Sequence, residues 1–203
     1  IATDLGNQTV NLVANALGLP CNSMESTLKS TNKYLMRQAF QQNNDPSPAF
    51  ALIDQDTDLN AMDLTFPVIV KPTDRSGSRG VFLVSSAEEL DKAKEKALQE
   101  SFEKKAVVEE FAEGREYSVE GISFQGEHHV LAITEKITTG APFFIEKGHR
   151  EPAGIEPELY ERIQTVVKHA LDSLGIENGA SHSEIKIDDK GGIKIIEIGS
   201  RMG

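Results

Sequence analysis

The chain has one cysteine, Cys21, in 203 residues. That excludes an internal disulfide framework and fits a reducing compartment, so a cytoplasmic protein is expected. Long apolar runs are missing too, and none approaches the roughly 20 residues a membrane-spanning helix needs. Basic residues are in deficit, with 21 Lys and Arg against 32 Asp and Glu and a formal net charge of -11. This balance argues against a non-specific nucleic-acid binder. Several catalytic signatures are absent as well. No Gly-Lys-Ser/Thr closes a Walker A loop, and there is no G-x-S-x-G elbow, no His-Arg-Asp and no Asp-Phe-Gly. No two histidines have the i, i+4 spacing of a zinc helix, and Cys21 has no basic neighbour in sequence to activate it. What remains is ordinary apolar content, 38%, in a chain long enough to bury one large core or two small ones. The chain begins at Ile1 and stops at Gly203 with strand-like sequence running almost to its end, which reads as a fragment of a longer protein.

Leu5, Val10, Val13, Ala14 and Leu17 predict a helix over 5–17, stopped by Gly18 and Pro20. A second helix is expected over 32–42, with Tyr34, Leu35, Ala39 and Phe40 as its apolar members, and then a breaker or hinge over 43–48. Strands are predicted over 50–53, 67–72, 81–84 and 106–111. Ser86 and Glu89 have the spacing of a capping box that opens a helix reaching 102. A hairpin is expected over 117–134 around Gln125-Gly126-Glu127, with His128 and His129 at the surface, and then irregular chain over 138–155. Pro157 starts a helix that Gly175 ends. Hairpins joined by helices, without βαβ alternation, predict an α+β fold of antiparallel sheets.

The last twenty residues carry the sharpest chemical signal. Strands 183–188 and 193–198 flank Asp189-Lys190-Gly191-Gly192. With that four-residue turn, Glu184 lies opposite Glu197. Facing carboxylates repel unless a cation sits between them, and a hard divalent ion accepts such a pair beside water and phosphate. Lys71, inside a Val-Ile-Val strand, reads either as a phosphate-facing ammonium or as a side chain snorkelling from an edge strand. The loop after it holds Ser76, Gly77, Ser78 and Gly80 and offers backbone N–H groups to anions. Glu109, Glu110, Phe111 and Ala112 form a strand end that suits a nucleobase edge, with Glu116 seven residues after Glu109. The alternative for these last residues is a solvated acidic strand end.

The order of these pieces resembles the ATP-grasp superfamily over nearly the whole chain. Within it, the sequence is most similar to the carbamoyl-phosphate-synthetase-like carboxylate–amine ligases, L-amino-acid ligases included. The resemblance implies two α+β subdomains gripping ATP. Residues 1–30 would be the remnant of a preceding domain and its linker. Residues 31–112 would be the N-terminal part with its lid, and 113–203 a truncated C-terminal subdomain. It implies that Lys33 and Lys71 hold ATP phosphates under the loop carrying Ser76, Gly77, Ser78 and Gly80. Glu109, with the Glu110 and Ala112 main chains and Phe111, would contact adenine, and Glu116 the ribose. Glu184 and Glu197 would be ligands of Mg²⁺, with Mn²⁺ an alternative. Arg201, with Lys71, would be the catalytic cation that stabilises an acyl phosphate. One position departs from the pattern: Gly199 stands where the family has a metal-binding Asn, leaving Ser200 or water to fill in.

The activity implied is ATP-dependent activation of a small carboxylate for attack by an amine, with no nucleic-acid or membrane partner. The alternative is an ATP-binding module or degenerate ligase without turnover. A kinase-like phosphotransferase lacks its motifs here. Residues 138–155, with Glu146, His149 and Arg150, read as the acceptor-side loop.

Overall fold

The computed structural model describes residues 4–140 and 146–203. In chain order the elements are helices α1 (Asp4–Ala16), α2 (Met24–Thr31) and α3 (Lys33–Asn43), then strands β1 (Phe50–Ile53), β2 (Val68–Pro72) and β3 (Phe82–Val84). Helix α4 (Ala87–Glu100), strands β4 (Ala106–Glu110), β5 (Arg115–Phe124), β6 (Glu127–Thr138) and β7 (Glu146–Arg150), helix α5 (Pro157–Leu174) and strands β8 (Gly179–Ile187) and β9 (Ile193–Gly199) follow. The strands form two wholly antiparallel sheets, ordered β1-β4-β2-β3 and β7-β6-β5-β8-β9. The α+β fold expected from the sequence is therefore present.

Each sheet has its own core. In the four-stranded sheet, Val68, Val70, Val84 and Val108 pack against Leu90, Ala93, Ala97 and Leu98 of α4. In the five-stranded sheet, Val119, Ile133, Ile185, Ile195 and Ile198 meet Ile163, Val167, Leu171 and Leu174 of α5. Met36, Ala39 and Phe40 of α3 join this second core. The packing therefore changes in the connection between α3 and β1, and again between β4 and β5. The supposed hinge over 43–48 is tied to the five-stranded half. The Pro46 carbonyl accepts from the Ile195 N–H, and buried Asp45 meets His169 of α5 at 2.6 Å.

Four expectations about elements need correction. Helix α2 was not anticipated, because its buried face is polar (Ser26, Thr27, Ser30) and carries no apolar period. Helix α1 is present, but its buried face is Asn7 and Asn11, whereas Val10, Val13 and Leu17 face solvent; the Leu5 side chain lies outside the described residues. Asn11 bonds Asn7, and Asn15 reaches the Asn22 carbonyl, so this face is held by hydrogen bonds rather than apolar contact. The capping box is not formed: Ser86 makes no side-chain cap bond, and the Glu89 carboxylate accepts from the Ser85 N–H instead. Residues 146–150 are an edge strand rather than irregular chain, while 141–145 lie outside the described residues.

Candidate active site

The open face between the two sheets holds a cleft of ≈ 330 Å³. Elements from both sheets supply its walls. Helix α3 brings Lys33 at its first residue, where Asn32 caps the helix by accepting from the Tyr34 and Leu35 N–H groups. Strand β2 brings Lys71, β4 brings Glu109, and β5 and β6 bring Glu116 and Lys136 as a cross-strand pair. Strands β8 and β9 bring Glu184 and Glu197 face to face. Ile69, Val81, Phe111 and Ile196 line an apolar end.

The facing glutamates arise from two offsetting irregularities. The connection spans residues 188–192, one more than expected, and pairs Ile187 with Ile193. Asp188 closes that loop by accepting from the Lys190 and Gly192 N–H groups. One bulged residue, Ile196, then restores the count, so Glu184 faces Glu197 while Ile185 faces Ile195. A similar bulge in the β5–β6 pair leaves Leu131 extra and puts Lys136, not Glu135, opposite Glu116.

Each carboxylate in the cleft has a cationic partner. Lys33 Nζ lies 3.0 Å from Glu197 Oε1 and donates to the Arg75 carbonyl at 2.6 Å. Lys71 Nζ lies 2.8 Å from Glu109 Oε2. Lys136 Nζ bridges Glu116 at 2.8 Å and Glu184 at 3.0 Å. Burial pushes the Lys71 ammonium below the usual lysine range, and the Glu109 charge only partly offsets this. Burial pushes Glu109 the other way, but Arg37 and Lys71 outweigh it and hold the carboxyl low. Glu184 is held at about 2, because His182 and Lys136 outweigh the burial that would raise it. His182 is raised, chiefly by its hydrogen bond to Glu184 and, against some burial, by Glu120.

Among the described residues, no group of three or more His, Cys, Asp or Glu side chains is arranged to hold a metal ion. The facing pair is what remains, and two hard carboxylate ligands suit an ion such as Mg²⁺ that completes its shell with water and phosphate. Ser200 does not line the cleft. It is buried, and its hydroxyl is held by Asn7 and, at 2.9 Å, by Ser30.

Most of the predicted residues converge. Lys33, Lys71, Ser76, Gly77, Ser78, Glu109, Glu110, Phe111, Ala112, Glu116, Glu184, Glu197 and Arg201 all line the cleft. Gly80 does not. Its φ is +73°, and a Cβ there would come 2.8 Å from Pro72 Cγ, so it packs the loop base against β2. The Glu109 side chain is already committed to Arg37 and Lys71, and Lys186 donates to the Ala112 carbonyl at 3.1 Å while lying over the Phe111 ring. Lys136, Lys186 and Arg37 were not foreseen. Period-two alternation from Glu184 would have found Lys186, and the i, i+4 step from Lys33 leads to Arg37. His128, expected at the surface, is buried between Ser123 and Asp172.

Residues 64–203 match the family described as the ATP-grasp domain. The chain is 30% identical over 196 residues to D-alanine–D-alanine ligase B of Chromobacterium violaceum, covering 93% of this chain and 63% of that protein. It is 29% identical over 213 residues to alanine–anticapsin ligase of Bacillus subtilis, covering 92% of this chain and 44% of that protein. An L-amino acid ligase structure from Bacillus licheniformis superposes with a TM-score of 0.86 at 30% identity, over 99% of this chain and 48% of that one. The chain thus spans roughly half the length of the proteins it resembles.

Proposed function

Because the chain belongs to the ATP-grasp domain family, we propose that it is the nucleotide-binding and catalytic part of an ATP-dependent carboxylate–amine ligase acting on amino acids. The observation that carries this reading is the arrangement of Lys33, Lys71 and Lys136 around the facing Glu184 and Glu197 in one cleft. The lysines give charge and N–H donors to the triphosphate, and the tip of the loop at Ser76, Gly77 and Ser78 closes over it. The apolar end with Ile69, Phe111 and Ile196 takes the adenine, and Glu116 takes the ribose. Glu184 and Glu197 hold Mg²⁺, which supplies neutralising charge for the phosphates when bound.

Phosphoryl transfer asks a protein for positioning and charge neutralisation rather than a covalent nucleophile. A substrate carboxylate oxygen attacks the γ-phosphorus and ADP leaves. An amine then adds to the acyl carbon, the acyl C–O bond breaks with its electron pair leaving on phosphate, and the proton lost by the amine goes to that phosphate or to water. Arg201, just past the end of β9, steadies the charge of that acyl phosphate. Strand β7 forms the acceptor edge, since His149 pairs in register with Lys136 of the cleft. A cytoplasmic setting fits the single cysteine, and no described helix is long and apolar enough to cross a membrane.

Gly199 favours a second reading, an ATP-binding module without turnover, because the engaged Ser200 does not line the cleft. Phosphate release by the full-length protein, across a panel of amino acids with MgATP, separates the two. Release that depends on amino acid is expected. ATP binding without such release supports the module, and no ATP binding at all removes both readings.

A further inference from the structure

Arg37 is the largest fully buried side chain among the described residues, at 1% exposure. A buried guanidinium is costly unless paired, so its partners indicate its purpose. They come from both sheets. Nε lies 2.9 Å from Glu109 Oε1, and Nη2 donates to Oε2 of the same carboxylate at 3.1 Å on β4. That Nη2 also donates to the Ile196 carbonyl at 2.7 Å on β9. Ile196 is the bulged residue immediately before Glu197. Glu109 is the residue whose other contact is Lys71. Lys33 stands one helical turn before Arg37 on the same face of α3.

We propose that Arg37 is a positioning residue of the nucleotide site. It clamps the Glu109 carboxylate so that Lys71 presents its ammonium to the cleft, and it holds the β9 bulge so that Glu197 faces Glu184. The proposal rests on the nucleotide reading above. Its physical content is the fork of the guanidinium. One planar group reaches a carboxylate side-on and a carbonyl on a different sheet, which a single ammonium cannot span. Arg37 also shares Glu109 with Lys71, and two cations on one carboxylate leave each less tightly held. Lys71 is thereby freer to turn to an incoming phosphate. Without the clamp, Glu109 swings to Lys71 alone, and the bulge loses the donor that fixes its carbonyl.

A purely structural role would weaken the fold without singling out the nucleotide. Calorimetric titration of ATP at saturating Mg²⁺ into the full-length protein separates the two roles, run on the wild type, Arg37→Lys, Lys71→Ala and the double variant, with melting followed in parallel. Arg37→Lys keeps the charge and is expected to stay folded, yet to bind ATP about tenfold or more weakly, as misplaced site groups do. The double variant should then bind no worse than Lys71→Ala alone, since both changes cut one chain of contacts. If Arg37→Lys does not fold, the same cycle is run with Glu109→Gln, which cuts the link from the other side. Arg37→Lys (or Glu109→Gln) binding within about twofold of wild type, or losses fully additive with Lys71→Ala, overturns the proposal while leaving the site reading intact. If wild type binds no ATP, or Lys71→Ala binds as well as wild type, the site reading falls and the proposal with it.

Discussion

Lys71 is the residue whose removal should speak most directly to nucleotide affinity. Hydrogen bonds to charged groups are worth about 1.5–3 kcal/mol each, so Lys71→Ala is expected to weaken ATP binding by roughly one to two orders of magnitude. Glu109 would keep Arg37 as its partner, so the variant should fold, and equilibrium dialysis of ATP checks the loss. Glu197→Ala should instead raise the Mg²⁺ concentration needed for half-maximal ATP binding, read by titrating Mg²⁺ at fixed ATP. A third single-residue effect lies away from the cleft. His169 is raised above its usual value, first by its hydrogen bond to Asp45 and then by the Asp45 charge, with slight burial opposing and Asp172 adding a smaller pull. A raised folded-state value means the contribution to stability is full below the unfolded value near about 6.5 and is lost as pH rises through the folded one. The melting midpoint of wild type should therefore fall more steeply over that rise than that of His169→Gln, by a small margin because the imidazole is half exposed and screened. Lys71, Glu184 and Glu197 stood out as charged residues inside strands, where charge is expensive, whereas Lys33 came only from the family resemblance. Arg37 did not stand out, because an arginine four residues after a lysine on a helix reads as a solvated face until the fold buries it.

Bulges and glycines set what individual elements can do, and they are where the sequence misleads. Gly114 turns the chain from β4 into β5 at φ +111°, and a Cβ there would lie 2.2 Å from the Ile187 carbonyl oxygen. Backbone on the far side cannot yield as a flexible side chain would, and the conformation itself is strained for an L residue. Gly114→Ala is expected to cost at least about 2 kcal/mol of stability, seen as a lower midpoint in urea at unchanged slope. Most strands and helices, though not α2 and β7, were readable, including Pro157 at the start of α5 and Gly175 at its end. The face each element turns inward was less so. The apolar side of α1 faces solvent because its amide side bonds Ser200 and Asn22. Tyr34 and Leu35 give up the core of α3 to Met36, with Lys33 and Arg37 buried beside it toward the cleft. Register was legible for Glu184 and Glu197 only because a longer loop and a one-residue bulge offset each other, and Lys136 was missed because the expected hairpin stopped at Thr134 while β6 runs on to Thr138.

At the scale of the whole molecule, two cores form separately and the cleft is what lies between them. Damage to one core should therefore lower stability without rewriting the site. Leu171→Ala, in the α5 core far from the cleft lining, should cost about 2–5 kcal/mol while ATP affinity of the folded fraction stays near wild type, measured by paired denaturation and binding curves. The ionic network joins the two halves in a different way, since Lys33 to Glu197 and Arg37 to Glu109 and Ile196 link α3 to strands of both sheets. Family membership speaks for the architecture, whereas substrate choice lies with whole proteins of which this chain spans roughly half. The proposed function makes the cleft between the sheets a metal-dependent ATP site. Its most direct test is calorimetric titration of ATP into the full-length protein, once with excess Mg²⁺ and once with the metal chelated. Saturable one-to-one binding that weakens sharply on chelation is the expected result. Heat identical with and without Mg²⁺, or no saturable binding in either case, would contradict it.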